Sequence, residues 1–444
     1  MVLALASVLL TPALALATPL PLDEAIRAAW THNEGYAASA RATDAARLDA
    51  DAARDRRLPT LSLSAQGVRT DEPVAAFGMR LDQARITAAD FAPERLNHPD
   101  AIGGYRLGAT ITQVLYGGGR VTAGARAAAA QAAAAAGDHA RRRDELALGV
   151  VEAYFGSQVA AEAIQHAGDV LAHALETERF VRARVRDGAA LESELARATA
   201  FRAQAEAERA AARRQLASSR SALELLAGSV AADAELTTPI EAGGAEPPLP
   251  RSAGERVGVR GDSIARPDLA AAHARSDAAR EASTVARGSL LPEVFAQASA
   301  ETMRSGDLQH GASWTTLALG IRWQLGVPDT RALSAARARQ DAAESAARWQ
   351  ERQASREVEE ARRAIDAADA QVRSASEAVV SSESARAIRE ARHRQGLLPL
   401  TEVLDAEAGL AGSRALLLGS RYEARVARAQ LQLALGQPIE GVNP

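Results

Sequence analysis

Along residues 400–435 large and small positions alternate on a seven-residue repeat. Val403, Leu410, Leu417, Ala424 and Leu431 form one row, and Ala406, Ser413, Ser420, Ala427 and Ala434 lie three positions further on. One large and one small residue per heptad predicts a coiled-coil seam in which two backbones approach closely. Leu195, Leu216 and Leu223, with Ala198, Ala205, Ala212 and Ser219, repeat the pattern earlier in the chain. Arg414, Arg421 and Arg428 make a further heptad row, expected to be a solvated face. Residues 120–186 contain no proline. At ~1.5 Å per residue they predict a helical path on the order of 100 Å, which must be packed along its length to be stable. Residues 41–57 are helical by composition and stop before Pro59.

Elsewhere the period changes to two. Leu61, Leu63 and Ala65 alternate with Ser62, Ser64 and Gln66, and Leu107, Ala109 and Ile111 alternate with Arg106, Gly108, Thr110 and Thr112. Residues 295–300 and the set Leu317, Leu319, Ile321 and Trp323 do the same. These are half-exposed strands with one apolar face, a pattern that a small soluble sheet and a membrane barrel share.

The two halves of the chain repeat each other at a constant shift of 208 residues. Arg186-Asp187-Gly188 corresponds to Arg394-Gln395-Gly396, Glu194 to Glu402, and Gly228 to Gly436. Upstream, Leu58-Pro59 and Leu291-Pro292 play the same part, each between a helix and a strand. Residues 238–263 carry Gly243-Gly244, Pro247-Pro248 and Pro250, which no helix tolerates, and read as the linker. The expected divisions are a leader at 1–17, a first repeat at 18–237, the linker at 238–263, a second repeat at 264–436 and a tail at 437–444. Each repeat runs helix, two strands, long helix, turn, long helix. Pro59 to Leu115 spans 56 positions whereas Pro292 to Leu325 spans 33. The excess, residues 71–104, contains Pro73, Pro93 and Pro99 and reads as an irregular loop, expected to be extracellular.

Composition narrows the function. The chain has no lysine and only 3% aromatic residues, so its apolar content is mostly methyl groups, suited to close helix packing. A net charge of -4 with interspersed signs gives no footprint for nucleic acid. Cysteine is absent, which excludes disulfides, thiolate metal sites and a lipidated N-terminal cysteine. Residues 2–17 are apolar and end in Ala15-Leu16-Ala17, as in a secretory signal peptide cut after Ala17; a buried N-terminal helix is the alternative. No later stretch approaches the ~18 apolar residues of a spanning helix. The eight histidines show no metal-ligand spacing, and no catalytic serine elbow or phosphate loop is present. Gly117-Gly118-Gly119 precedes a helix but lacks the lysine and hydroxyl residue of a phosphate cradle. Neither catalytic residue, metal nor cofactor is expected.

Four strands do not close a membrane barrel, which starts at about eight; three symmetric copies would supply about twelve. Three motifs give that possibility a family. Arg392-His-Arg-Gln-Gly-Leu-Leu-Pro-Leu-Thr-Glu-Val-Leu-Asp-Ala406 resembles the periplasmic-tip turn of the TolC-like outer membrane factors. Gln113-Val-Leu-Tyr-Gly-Gly-Gly-Arg120 resembles their Pro-Leu-Phe-x-Gly-Gly-Arg signature at the descent from barrel to helix, and Arg266-Pro-Asp-Leu269 resembles the opening of their second repeat. Gln113 departs from the usual proline, Val327-Pro328-Asp329 stands where the second repeat would carry glycines, and residues 188–194 form a degraded first tip.

The resemblance covers almost the whole chain after the leader. It implies a mainly α protein with a small β part, its tandem repeats trimerising into an α-helical barrel capped by a 12-stranded outer-membrane β-barrel. It further implies a passive duct from periplasm to exterior for efflux or type I secretion, working with a periplasmic adaptor, an inner-membrane pump and outer-membrane lipid. Glu402 and Asp405 would form acidic rings at a periplasmic gate. Gly188, Gly396, Leu397 and Leu398 would be tip turns that dock the adaptor, and Gly117, Gly118 and Gly119 the barrel-to-helix descent. A non-conducting structural coiled-coil protein of the envelope fits the composition as readily; the duplicated tip and strand pairs favour the channel.

Overall fold

The computed structural model describes residues 18–232, 234–240, 266–324 and 326–439. The expected leader at 1–17, positions 241–263 of the linker and 440–444 of the tail lie outside the described residues. In chain order the elements are β1 (Pro19–Leu20), α1 (Leu22–His32), α2 (Glu34–Asp55), β2 (Thr60–Thr70), α3 (Pro73–Asp82), a 3-10 turn (Ala88–Phe91), α4 (Pro93–Asn97) and β3 (Ile102–Tyr116). Then follow α5 (Arg120–Arg186), α6 (Glu192–Ala227), β4 (Glu235–Leu236), α7 (Pro267–Gly288), β5 (Glu293–Ser305), β6 (Gly311–Arg322), α8 (Val327–Arg394) and α9 (Leu400–Leu435). The fold is mainly α with a small β part, a tandem duplication of helix, strand pair and long helical hairpin.

Two expectations need correction. The helix placed at 41–57 runs from Glu34 to Asp55 and is preceded by α1. Residues 71–104 are not an irregular loop, because Pro73 and Pro93 sit in the first turns of α3 and α4. Proline has no N–H to donate, and the first turn of a helix is the one place where that donor is not needed. Read as breakers, these prolines concealed two helix starts.

The chain divides into two compact units. One comprises Ala42–Ala136 and Ala271–Trp349 and holds a four-stranded antiparallel sheet in the order β2-β3-β5-β6. Its register pairs Leu61 with Ile111, Ile111 with Ala298, and Ala298 with Leu317, so the apolar rows of all four strands share one face. A bulge between Val114 and Tyr116 turns β3 toward α5. Gln113, where the family carries proline, uses its side-chain amide to donate to the Arg57 carbonyl at 2.9 Å, joining β3 to the turn that follows α2.

The other unit comprises residues 18–41, 137–270 and 350–439 among those described. Its largest core joins Ile26 of α1, Val150, Val151, Tyr154 and Phe155 of α5 and Leu223 of α6. Each such side chain, wholly withdrawn from water, contributes about 1.5–3 kcal/mol. Tyr154 is buried, and its hydroxyl donates to the Leu20 carbonyl at 2.7 Å and accepts the Thr238 N–H at 3.0 Å. That bond anchors the short parallel pair β1–β4.

The coiled-coil seams form as the heptads predict. Val403, Ala406, Leu410, Ala424, Ala427, Leu431 and Ala434 are buried, with Leu431 and Ala434 packed on Val358 and Ala361 of α8. The arginine row is not a solvated face. Arg414 pairs with Glu383 at 2.8 Å and Arg428 with Asp369 at 2.6 Å, both acids on α8. A heptad repeat places charges along a stripe, and the facing helix decides whether they meet partners.

Candidate channel wall and helical tip

The sheet exposes both faces, and the apolar one is exposed most. Leu63 on β2 retains 76% of its accessible surface, Leu317 on β6 85% and Leu319 74%. Leu61, Leu107, Ile111 and Ile321 are exposed beside them. The opposite face presents Ser62, Ser64, Thr110, Thr112, Gln297 and Ser299. A contiguous apolar surface of this extent marks contact with lipid or with another protein. Strands of 11 to 15 residues are long enough for a bilayer, which a tilted strand crosses in ~9–11. Among the described residues, β2 and β6 each keep one edge without a strand partner. No described helix is long and apolar enough to cross a membrane.

At the descent from β3 to α5 the sequence needs glycine for two reasons. Gly118 and Gly119 adopt positive φ angles of 61° and 80°, which L side chains rarely take. A Cβ on Gly118 would also lie 2.6 Å from the carbonyl oxygen of Gly288, and one on Gly288 would lie 2.6 Å from that of Gly118. The end of α7 and the start of α5 therefore touch backbone to backbone. Arg120 locks the junction by pairing with Glu293 at the start of β5. Gly117 is the third residue of the motif, and its carbonyl accepts from Arg120 Nε at 3.2 Å. In the second repeat Asp329 replaces this device, its carboxylate accepting the Gly326 N–H at 2.9 Å and capping α8.

The two tips are built alike. The Gly188 N–H donates to Val185 and the Ala189 N–H to Arg184, while Gly396 donates to His393 and Leu397 to Arg392. These are paired Schellman closures, each with glycine at a positive φ of 71° or 73°. The first tip thus keeps the backbone of the second despite its divergent sequence. His393 adds a bond from its imidazole to the Leu398 carbonyl at 2.8 Å. Leu397 is exposed, and a groove of about 570 Å³ lies between the two turns, lined by Gly188, Leu191, Gly396, Leu397 and Leu398. Beneath it Val181 of α5, Ala198 of α6 and Leu400 of α9 form a small buried cluster that joins the two hairpins.

The structure separates the two acids that the sequence placed together. Glu402 is half-exposed and faces Arg389 of α8 at 3.7 Å. Asp405 is exposed and makes no ion pair among the described residues. The buried acids nearby are Glu178 and Glu407, which the motif did not single out. Glu178 on α5 is held by Arg182 at 2.6 Å, Arg202 at 2.9 Å and Thr199 at 3.0 Å. Glu407 on α9 is held by Arg386 at 3.0 Å. Under the shift of 208, Glu178 and Arg182 correspond to Arg386 and Glu390, and Thr199 to Glu407. The repeats therefore invert their charges at one buried layer, a signal available from aligning the halves.

The Arg266 motif is a second buried clamp. Its guanidinium bonds Asp268 at 2.7 Å, Glu357 at 2.7 Å and the Ala434 carbonyl at 3.3 Å. Burial pushes the Asp268 carboxyl upward, but the hydrogen bonds and positive charge of Arg266, with Arg141 and Gln350 adding to them, together outweigh it and hold the group below its ordinary range.

The model of the outer membrane efflux protein family matches residues 26–229 and again 264–437. The chain belongs to the outer membrane efflux protein family. It is accordingly an outer-membrane protein with a long periplasmic helical part. Solved structures share its fold at low identity. A membrane protein from Pseudomonas aeruginosa is 23% identical with a TM-score of 0.77, over 94% of this chain and 93% of that one. The outer membrane protein VceC of Vibrio cholerae gives 20% and 0.77, over 94% and 97%. The CmeC outer membrane channel of Campylobacter jejuni gives 17% and 0.79, over 95% and 87%. No curated protein sequence matches the chain.

Proposed function

We propose that three copies of this efflux-family chain close into a passive duct from periplasm to exterior, working in a tripartite efflux or type I secretion system. The observation that carries the reading is the sheet, with four strands, two edges that no described strand pairs, and an exposed apolar face. In lipid an unpaired edge leaves backbone donors and acceptors without partners, at several kcal/mol each, so β2 of one copy pairs with β6 of the next. Three copies then make a 12-stranded barrel with leucines toward lipid and hydroxyl and amide side chains toward water. The helices continue it as a tunnel in the periplasm, and an inner-membrane pump supplies the energy.

The tip is the gate. Threefold symmetry repeats Asp405 and Glu402 as acidic rings, with Asp405 carrying the charge that no ion pair among the described residues offsets. The exposed turns at Gly188, Gly396, Leu397 and Leu398 receive the periplasmic adaptor. Contact there biases the equilibrium between packed and parted hairpins. Purified protein in detergent is expected to run as a heat-sensitive, helix-rich trimer and to give discrete conductance steps in planar bilayers. A monomer by light scattering, or bilayers that stay silent with assembled trimer, overturns the reading.

A further inference from the structure

The segment between β2 and β3 has no counterpart in the second repeat, where a five-residue turn joins β5 to β6. It folds back onto the sheet rather than extending away from it. Ala76 and Met79 of α3 are buried against Ile102, Met303, Val68 and Trp314. Register assigns the side these four occupy. Ile102 pairs with Thr70, Val68 with Gly104, Met303 with Arg106 and Trp314 with Glu301, all in the polar row of their strands, not the leucine row. They also lie at the strand ends remote from α2, α5, α7 and α8.

Two polar contacts hold the same side. Asp82 pairs with Arg106 at 3.4 Å, and Gln83, fully buried at the end of α3, donates to the Gly103 carbonyl at 3.0 Å. The chain gives up side chain to admit it, since a Cβ on Gly104 would lie 2.5 Å from the Gln83 amide nitrogen. The segment is also folded within itself. Asp90 is buried and accepts from Thr87 at 2.8 Å and from Arg80 at 3.2 Å, which ties the 3-10 turn to α3. From Asp71 to Ala101 it carries six acids and three arginines, a composition that lipid would not admit.

We propose that residues 71–101 form a size filter across the outer mouth of the duct, seated on its inward face by Met79, Asp82 and Gln83. The inference rests on the proposed barrel, in which the polar face lines the lumen. Three copies put three such caps around one axis, where they narrow the exit independently of the helical tip. Export through the mouth then requires a small solute, or the lifting of α3. The Gln83 Oε1 atom has no hydrogen-bond partner among the described residues, which weakens the seat and lowers the cost of lifting it.

The chain lacks cysteine, so single thiols report access cleanly. Gln297→Cys lies on the polar row below the filter and Ala298→Cys on the apolar row beside it. Intact cells are treated with a small water-soluble maleimide and with a polyethylene-glycol maleimide too large for porins. The expected result is that Gln297→Cys reacts with the small reagent alone and Ala298→Cys with neither. Replacing residues 72–100 by the turn 306–310, or introducing Met79→Asp should the deletion not assemble, is expected to take large-reagent labelling of Gln297→Cys from near zero to completion. If the large reagent labels Gln297→Cys equally with the segment intact, the filter is overturned while the barrel stands. If the small reagent labels Gln297→Cys and Ala298→Cys alike, the barrel reading fails and the filter with it.

Discussion

Leu400→Ala tests whether opening parts the two hairpins at their tips. Leu400 is 4% exposed and, with Val181, Ala198, Val185, Leu195 and Leu404, makes the apolar contact between α9 and the α5–α6 hairpin. Truncating a fully enclosed leucine costs 2–5 kcal/mol, and this cluster is shallow, so the low end, about 2 kcal/mol, applies. If the contact is lost on opening, the substitution removes that amount from the closed state and nearly none from the open one. At about 1.4 kcal/mol per tenfold, the parted population of each protomer's tip rises roughly 30-fold, so the trimer's open population rises by at least that much. Single-channel recording in planar bilayers reads this as open probability, with the assembled trimer checked by its heat-sensitive mobility. Cells carrying the variant would also become sensitive to large antibiotics that the closed duct excludes. An unchanged open probability in a trimer whose melting temperature has fallen would refute the argument, because the cluster would then persist in the open state.

Asp405→Asn is expected to weaken cation selectivity and block by multivalent cations more than Glu402→Gln, since Arg389 already offsets Glu402 within the chain; reversal potentials under a salt gradient decide it, and equal effects remove the distinction. Gly118→Ala should destabilise the trimer far more than Gly119→Ala. Both force a positive φ, at about 1–2 kcal/mol, but only Gly118 also drives a Cβ into the Gly288 carbonyl, while Gly119 has open space. Thermal melts of the two variants check the order. Acid should loosen the Arg266 clamp: Asp268 has a depressed carboxyl pKa when folded, so its stabilisation is complete above the unfolded value of about 3.9 and fades as pH falls through the folded one. Asp144, raised chiefly by burial with Arg143 opposing, acts in the reverse sense, its contribution being lost as pH rises from about 3.9 through its folded value. Asp268→Asn should therefore flatten the acid limb of a plot of melting temperature against pH, and Asp144→Asn should not.

The local pattern of this sequence determined what repeats, what is helix and what is strand. A seven-residue period set the α9 seam at Val403, Leu410 and Leu431, and a constant shift of 208 matched Gly188 to Gly396 before any fold was known. Alternation found all four long strands, because side chains in a strand must fall on opposite faces. Tertiary structure decided everything that depends on what lies across from a residue. Period two states that Leu63 and Leu317 share a face, but only the folded chain shows that none of its described residues covers that face. The same holds for Arg414 and Arg428, whose spacing resembles a solvated stripe until Glu383 and Asp369 on α8 come opposite them. Glu402 and Asp405 are three apart in one helical turn, yet Arg389, on another helix, makes their charges unequal. Residues 71–104 read as an irregular loop for a related reason: Pro73 and Pro93 break a helix or begin one according to which backbone donors the surroundings leave unpaired, and that is settled by the packing of α3 on the sheet.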